Sequence, residues 1–171
     1  HNKTPITQQI RILIDICKTI AEKVVSQTQI YYSVENNSIG EAALVSIEEF
    51  GEQNIPGIFL SESKRAGHVR NFRRGFNTTN RSKLTACAKL KTLIETDKMT
   101  LKSKLLVSEF KNFIASGGSY AAKIGETDDL VMSTVLAVRM ATELKNYLPD
   151  LDNQLRDASD PDSQPMPFII L

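Results

Sequence analysis

The sequence predicts an α/β fold, and three observations lead to this prediction. A strand, a helix and a second strand follow one another between residues 30 and 60, and longer segments on both sides repeat apolar residues at helical spacing. The chain has 171 residues, 41% of them hydrophobic, which is enough for a substantial core. We find no internal repeat and no second domain, so we expect one domain at residues 1–148, followed by an extended tail rich in Pro and Asp at 149–171.

The first element is predicted to be a helix that begins at Thr4-Pro5. Thr4 is a favourable N-cap residue, and proline is well tolerated at the first helical position, where no amide donor is needed. Apolar residues then recur at helical spacing as far as Val24, so we expect this helix to be well covered.

A strand–helix–strand unit follows. Residues 30–35 are aromatic and β-branched and predict a strand with Glu35 at its end. Ser38 and Glu41 have the spacing of a capping box, which predicts a helix that Gly51 ends. Residues 58–60 predict the second strand. This order implies parallel pairing with a right-handed crossover.

The second half of the chain is predicted to be mainly helical. Its last helix carries a single charge, Arg139, between residues 130 and 140, so we expect it to lie in the core. The predicted elements are a loop at 61–78, a helix from about Thr79, a short strand at 99–101, a helix at 103–116 stopped by Gly117-Gly118, an extended piece at 119–122, and a final helix that starts near Thr127.

Composition excludes several classes of protein. No apolar run approaches the roughly 18 residues of a membrane span, and the N-terminus has no secretory leader, so we expect no membrane partner. Cys17 and Cys87 lie on apolar helix faces, and buried free thiols favour a reducing, intracellular setting. Two His and two Cys, far apart in sequence, cannot form a zinc cluster. Any metal would need oxygen ligands, which favours Mg²⁺ or Mn²⁺.

The net charge of +1 conceals a strong asymmetry. Between Glu62 and Glu95 there is no acidic residue, whereas the segment after Pro149 has five Asp residues and a single basic residue, Arg156. Phe72 and Phe76 are interleaved with the basic residues, a combination that suits a nucleic-acid groove, although charge runs are also common on solvated surfaces. The basic residues that we select as candidates for DNA binding are Arg70, Arg73, Arg74, Arg81 and Lys83.

Three carboxylates are candidates for catalysis or metal binding. Asp128 and Asp129 stand at the start of the predicted core helix, where they either stabilise its positive end or coordinate a divalent cation. A carboxylate in dry surroundings needs a positive partner, and a metal meets that need. Glu35 ends a strand, which is either an exposed rim position or the ligand-binding edge of an α/β sheet.

Taken together and in order, these motifs resemble the nuclease domain of the large terminase subunit of tailed phages, of the myovirus type. The resemblance covers about residues 1–145, and the last motif is the most specific. Four stretches carry it: His1–Thr4, Val34-Glu35-Asn36-Asn37-Ser38-Ile39-Gly40, residues 78–83 with 90–95, and Gly125-Glu126-Thr127-Asp128-Asp129-Leu130-Val131-Met132-Ser133.

The resemblance implies a ribonuclease-H-like fold of the integrase and resolvase type, and an endonuclease that cuts concatemeric double-stranded DNA by two-metal hydrolysis. By this resemblance Glu35 is the second metal ligand and Asp128 the third, with Asp129 assisting or substituting. The metals are Mg²⁺ or Mn²⁺. The implied partners are duplex DNA, an ATPase domain in the same protein, the phage portal and the small terminase subunit, in the cytoplasm of an infected bacterium.

The chain departs from the family in three respects. Many relatives have His where Thr127 stands, and the ATPase domain that precedes the nuclease domain in the family is absent from this chain. The first catalytic Asp of the family lies on an opening strand that would precede His1 and is absent from this chain. We therefore expect weak or no cleavage by this piece alone. Two other interpretations remain open: another integrase- or resolvase-type nuclease, and a non-catalytic DNA-binding or motor-docking module in which the acids only cap a helix.

Overall fold

Helices and small sheets alternate along the chain and give a mixed α/β structure, as predicted. The computed structural model describes residues 4–24, 29–63 and 74–147. The chain divides into two compact units, His1–Thr78 and Thr79–Leu171, which are described separately below. The elements are α1 (Ile6–Lys23), β1 (Tyr31–Tyr32), α2 (Ser38–Phe50), a 3-10 turn (Glu52–Asn54), β2 (Ile58–Phe59), α3 (Asn80–Glu95), α4 (Lys104–Asn112), β3 (Phe113–Ser116), β4 (Ser119–Ala122) and α5 (Asp129–Tyr147).

The first unit contains the predicted strand–helix–strand arrangement, but its first strand is shorter than predicted. Of residues 30–35 only Tyr31 and Tyr32 form β1, and Glu35 makes an isolated parallel bridge to Phe76. Strand β1 pairs in parallel with β2, with Tyr31 opposite Ile58 and Tyr32 opposite Phe59. Helix α2 connects the two strands and ends at Gly51, whose φ of 80° suits a residue without a Cβ atom. The core of this unit lies between α1, α2 and the sheet and contains the buried residues Ile10, Cys17, Tyr32, Ala43, Ile47 and Ile55.

Both predicted N-caps of the first unit were wrong by one residue. Helix α1 has Pro5 as its N-cap and no side-chain cap, because Pro5 has an extended conformation and its own carbonyl accepts from the first helical turn. Helix α2 is capped by Asn37, whose side chain accepts from the Gly40 amide at 2.8 Å. Ser38, predicted as the cap, is the first residue of the helix, since the extended backbone of Asn37 already presents an acceptor to the first turn.

The second unit is built around α5, which packs against α3 and α4. Val131 and Val135 on α5 are almost completely buried, which confirms the prediction of a core helix. Helix α3 begins where predicted, after Thr79, whose hydroxyl accepts from the amide of Ser82 at 3.1 Å. The buried cluster contains Ala86, Leu90, Leu106, Val131, Val135 and Val138.

The predicted helix at 103–116 was wrong in its last turn, since α4 ends at Asn112 and residues 113–116 form a strand. Strands β3 and β4 pair as an antiparallel hairpin with Ser116 opposite Ser119. Gly117 and Gly118 have φ values of 57° and 76°, the two positive angles that a tight hairpin turn requires, so they reverse the chain rather than merely stop a helix. Phe113 also stacks on the Tyr120 ring, with centroids 5.9 Å apart.

Three further predictions concern the connections. The extended piece at 119–122 is β4, as expected. The predicted strand at 99–101 was wrong; these residues form no strand, and Met99 and Leu101 instead pack against the second core. Of the predicted loop, residues 64–73 lie outside the described residues, as does the predicted tail at 149–171. No helix among the described residues is long and apolar enough to cross a membrane.

Candidate functional site

Glu35 lies at the end of an extended segment, residues 30–35, whose hydrogen-bonding partners are not continuous in sequence. Alternate carbonyls of the segment that contains β1 accept hydrogen bonds from one side, and the donors come from two separate parts of the chain. The bonds are Ile58 N–H to Ile30 O at 2.8 Å, Leu60 N–H to Tyr32 O at 2.8 Å, and Phe76 N–H to Val34 O at 3.0 Å. Asn36 N–H returns to Phe76 O at 2.7 Å and completes a parallel bridge at Glu35. Phe76 therefore continues the row of hydrogen bonds that Ile58 and Leu60 begin along this segment.

The intervening segment is closed at its base by hydrogen bonds. Glu62 N–H donates to the Gly75 carbonyl at 3.1 Å, and Gly75 N–H donates to the Ser61 hydroxyl at 3.1 Å. The side-chain amide of Asn36 donates to the Arg74 carbonyl at 2.7 Å. These bonds hold Ser61, Glu62, Arg74 and Gly75 close to one another and to Asn36, the residue after Glu35.

Helix α2 begins directly against the Glu35 backbone. The Glu35 carbonyl accepts from Asn37 N–H at 3.0 Å, and a Cβ atom at Gly40 would collide with that same carbonyl oxygen. A glycine at this position thus allows the helix to start within one turn of the strand. The Glu35 side chain is partly buried at this strand end, the kind of position at which α/β sheets bind ligands.

Arg74, one of the predicted DNA-binding residues, is engaged within the first unit. Its guanidinium forms ion pairs with Glu48 at 2.9 Å and with Glu52, and it lies 4.8 Å from the centroid of the Phe59 ring. Burial acts to lower the pKa of Arg74, but hydrogen bonds and charge from Glu52 and Glu48 outweigh it and raise the pKa above its usual value. Two carboxylates therefore neutralise this cation. Arg70 and Arg73 lie outside the described residues.

A residue that the sequence did not indicate, Glu109 on α4, caps the helix that carries the paired acids. One Glu109 carboxylate oxygen accepts from the Leu130 and Val131 amides at 2.8 and 3.2 Å, and the other accepts from the Thr127 hydroxyl at 3.1 Å. Thr127, predicted as the cap, is thus a donor to the residue that caps the helix. The Asp128 carbonyl accepts from Met132 N–H at 2.8 Å, so Asp128 is fixed immediately before α5, and Asp129 is its first residue.

Lys83 supplies the positive charge beside Asp128. Its ammonium lies 3.9 Å from an Asp128 carboxylate oxygen and 5.4 Å from the centroid of the Phe113 ring. The Lys83 and Asp128 side chains are 17% and 29% exposed, so solvent screens this pair only in part. Burial raises the pKa of the nearby Cys87 thiol, and the charge of Lys83 partly offsets that increase. A second predicted DNA-binding residue, Arg81, is exposed on the first turn of α3.

The predicted ligands are distributed over both units. Glu35 belongs to the first unit, and Asp128 and Asp129 to the second. Within the described parts of the chain, no group of three or more His, Cys, Asp or Glu side chains is arranged to hold a metal ion. The donor chemistry itself suits Mg²⁺ or Mn²⁺, because all three candidates are carboxylates and Asp129 is exposed. No family model matches the sequence.

Proposed function

We propose that this chain is part of the nuclease domain of a phage terminase large subunit, with a ribonuclease-H-like fold and the activity of a metal-dependent endonuclease on double-stranded DNA. The observation that carries the proposal is the rigid mounting of the paired acids. Asp128 and Asp129 sit at the end of a helix that Glu109 caps and whose residue Val131 is 0% exposed. A carboxylate site needs this kind of rigid support if its oxygens are to keep a fixed geometry.

In this proposal Glu35, Asp128 and Asp129 are the residues that would hold Mg²⁺ or Mn²⁺. When bound, two such cations activate water and stabilise the leaving oxygen of the cleaved phosphodiester. The protein's own contribution is to fix the backbone of these acids: Glu35 through its bridge to Phe76 shortly before α2, and Asp128 where the chain enters α5. Lys83 keeps the Asp128 carboxylate paired in the absence of a cation.

DNA contact in this proposal depends on the basic residues outside the carboxylate site. Arg81 is exposed and available to a phosphate, and Arg70 and Arg73 belong to the same basic segment of the sequence. Arg74 contributes less positive potential, since Glu48 and Glu52 neutralise it. An ATPase domain, the portal and the small terminase subunit are the proposed partners of the whole protein in the cytoplasm of an infected bacterium.

A specific observation favours a second candidate, a non-catalytic DNA-binding or motor-docking module. Lys83 pairs with Asp128, and Glu109 satisfies the first amides of α5, so the acidic segment is already stabilised without a metal. In this alternative Asp128 and Asp129 only stabilise the N-terminus of α5, where an acidic side chain contributes about 0.3–1 kcal/mol of stability.

Plasmid cleavage with Mn²⁺ separates the two candidates. The protein to use is this chain extended at its N-terminus through the opening strand that the resemblance implies; the 171-residue chain alone is expected to cut weakly or not at all. Glu35→Gln and Asp128→Asn should each lower the rate by more than about 100-fold, since even changes next to metal ligands cost 10- to 100-fold. Asp97→Asn is the matched control and should cut at the parental rate.

Two outcomes would contradict the proposal. Cleavage at the parental rate by Glu35→Gln and Asp128→Asn would remove these acids from the chemistry. DNA binding without cleavage in the extended parental protein would favour the docking module. A third arm, a four-way DNA junction, tests the rival nuclease, because a resolvase-type enzyme should cut the junction in preference to linear duplex.

A further inference from the structure

A basic depression lies in the second unit, where the chain enters α4. Its volume is about 290 Å³. Three of its lining residues are lysines, all exposed, and none is acidic. The lining consists of Leu101, Lys102, Ser103, Lys104, Val107, Ser108 and Lys111. The depression therefore concentrates three positive charges in a chain whose net charge is only +1.

Helix geometry explains why these charges stand together. Lys104, Val107, Ser108 and Lys111 follow the i, i+3, i+4, i+7 spacing, which places them on one face of α4. The two helical lysines are separated by about 10.5 Å of helix rise. Lys102 precedes the helix and adds the third charge at its start. The result is a row of cations along one side of a helix.

The only acidic residue of α4 does not neutralise this row. Glu109 lies on the opposite side of the helix, and both of its carboxylate oxygens are bonded to residues at the start of α5. Among residues 4–24, 29–63 and 74–147, no carboxylate forms an ion pair with Lys102, Lys104 or Lys111. Three adjacent cations repel one another, and an anionic ligand relieves that repulsion.

We propose that this lysine row (Lys102, Lys104 and Lys111) is a docking site for phosphate groups of duplex DNA. The inference rests on the proposed function for its choice of DNA. Lysine is a mobile point charge that contacts phosphates without reading bases, so the site contributes affinity and no sequence preference. Leu101 and Val107 form an apolar floor along which the lysine stems can lie while their ammonium groups reach the backbone.

Salt-dependent DNA binding tests the lysine row. The variant Lys102→Gln, Lys104→Gln, Lys111→Gln in the 171-residue chain is compared with the parent by fluorescence anisotropy on a labelled duplex at several salt concentrations. Each phosphate contact contributes about 0.9 to the slope of log K against log salt, so the triple variant should lose up to about 2.7 of that slope. Thermal unfolding checks that the variant is folded, as exposed substitutions are expected to be.

A matched control removes the same charge elsewhere. Lys18, Lys23 and Lys98 are exposed and lie outside the depression, so their triple replacement by Gln should leave most of the slope intact. An unchanged slope in the Lys102, Lys104, Lys111 variant, an equal loss in the control, or no DNA binding by the parent would each overturn the inference. Polyglutamate competes in a further arm; if it binds the lysine row more tightly than duplex at equal ionic strength, the partner is an acidic protein and the inference fails.

The outcome is separable from that of the proposed function. If Glu35→Gln and Asp128→Asn leave cleavage unchanged but the lysine variant loses its salt slope, the nuclease assignment of these acids fails and the DNA docking site stands. If those acids are essential and the lysine variant binds DNA like the parent, the reverse holds.

Discussion

Replacing Glu109 on α4 by alanine removes three hydrogen bonds at the start of α5 without changing any residue of α5. The side chain accepts from two backbone amides and one hydroxyl. Loss of a helix cap costs about 1 kcal/mol, and loss of the negative charge near the helix N-terminus costs about 0.3–1 kcal/mol more. The amide of the buried residue Val131 also loses its acceptor, which costs about 1–3 kcal/mol.

Together these effects predict that Glu109→Ala lowers the free energy of unfolding of the second unit by about 2–5 kcal/mol. Glu109→Gln keeps the shape and one acceptor oxygen, so it should lose only the charge-dependent part, about 0.3–1 kcal/mol. Glu126→Gln is a suitable control because Glu126 is an exposed acid close to the same helix end.

Urea unfolding at pH 7, followed by circular dichroism, measures the difference. With an m-value of about 2 kcal/mol per molar urea, the alanine variant should unfold at a midpoint roughly 1–2.5 M lower than the parent. If Glu109→Ala lies within about 0.5 kcal/mol of the parent, as an ordinary surface change would, the capping role is refuted. Equal losses for alanine and glutamine would refute the role of the acceptor geometry.

Further substitutions test both units. Burial is the main cause that raises the pKa of Tyr32 to about 12, so above pH 10 the unfolded chain loses a proton that the folded chain keeps, and stability should fall by about 2 kcal/mol between pH 10 and 12. Tyr32→Phe should abolish this loss of stability at alkaline pH, as measured by urea titration. It should not lower the free energy of unfolding at pH 7, because among the described residues the Tyr32 hydroxyl has no hydrogen-bond partner. If the variant still loses stability at alkaline pH, other groups are responsible. Gly40→Ala should destabilise the first unit by well over about 1 kcal/mol through its collision with the Glu35 carbonyl, and a melting temperature equal to the parent's would show that the helix start can shift. Lys83→Gln should strengthen Mn²⁺ binding measured by calorimetry, since a cation at Asp128 no longer competes with the ammonium 3.9 Å away; weaker binding would contradict a metal role for Asp128.

Local patterns were sufficient to predict much of the first unit. The alternation at residues 30–35, the helix that Gly51 ends and the short strand after it all depend on neighbouring residues, and their order implies parallel pairing. The start of α3 after Thr79 was equally predictable from sequence, because a hydroxyl N-cap bonds to an amide in the first turn of the same helix. Glu35 was predicted to end the strand at residues 30–35, but β1 ends at Tyr32 and Glu35 contributes only an isolated bridge to Phe76, a residue distant in sequence.

The features that sequence could not predict depend on contacts between distant residues. Residues 113–116 are acceptable in a helix, but pairing with β4 and stacking of Phe113 on Tyr120 favour the strand. Glu109 is an ordinary helical residue in sequence, and it becomes a cap only when α4 packs beside α5. Lys83 was assigned to DNA because it lies in a basic run, whereas packing places it beside Asp128.

Two parts of the chain, one ending near Leu60 and one beginning near Gly75, are hydrogen-bonded side by side to the segment before Glu35. Their pairing does not depend on the number of residues that connect them. Leu60 and Phe76 are hydrogen-bonded to successive sites of one strand, and bonds at Ser61, Glu62 and Gly75 close the base between them. Lengthening a closed loop is inexpensive, about 0.6 kcal/mol for each doubling. A change in the number of residues between Glu62 and Arg74 should therefore cost little, provided that the hydrogen bonds at Ser61, Glu62 and Gly75 are kept. The fold thus offers a position at which a peptide of chosen sequence can be grafted.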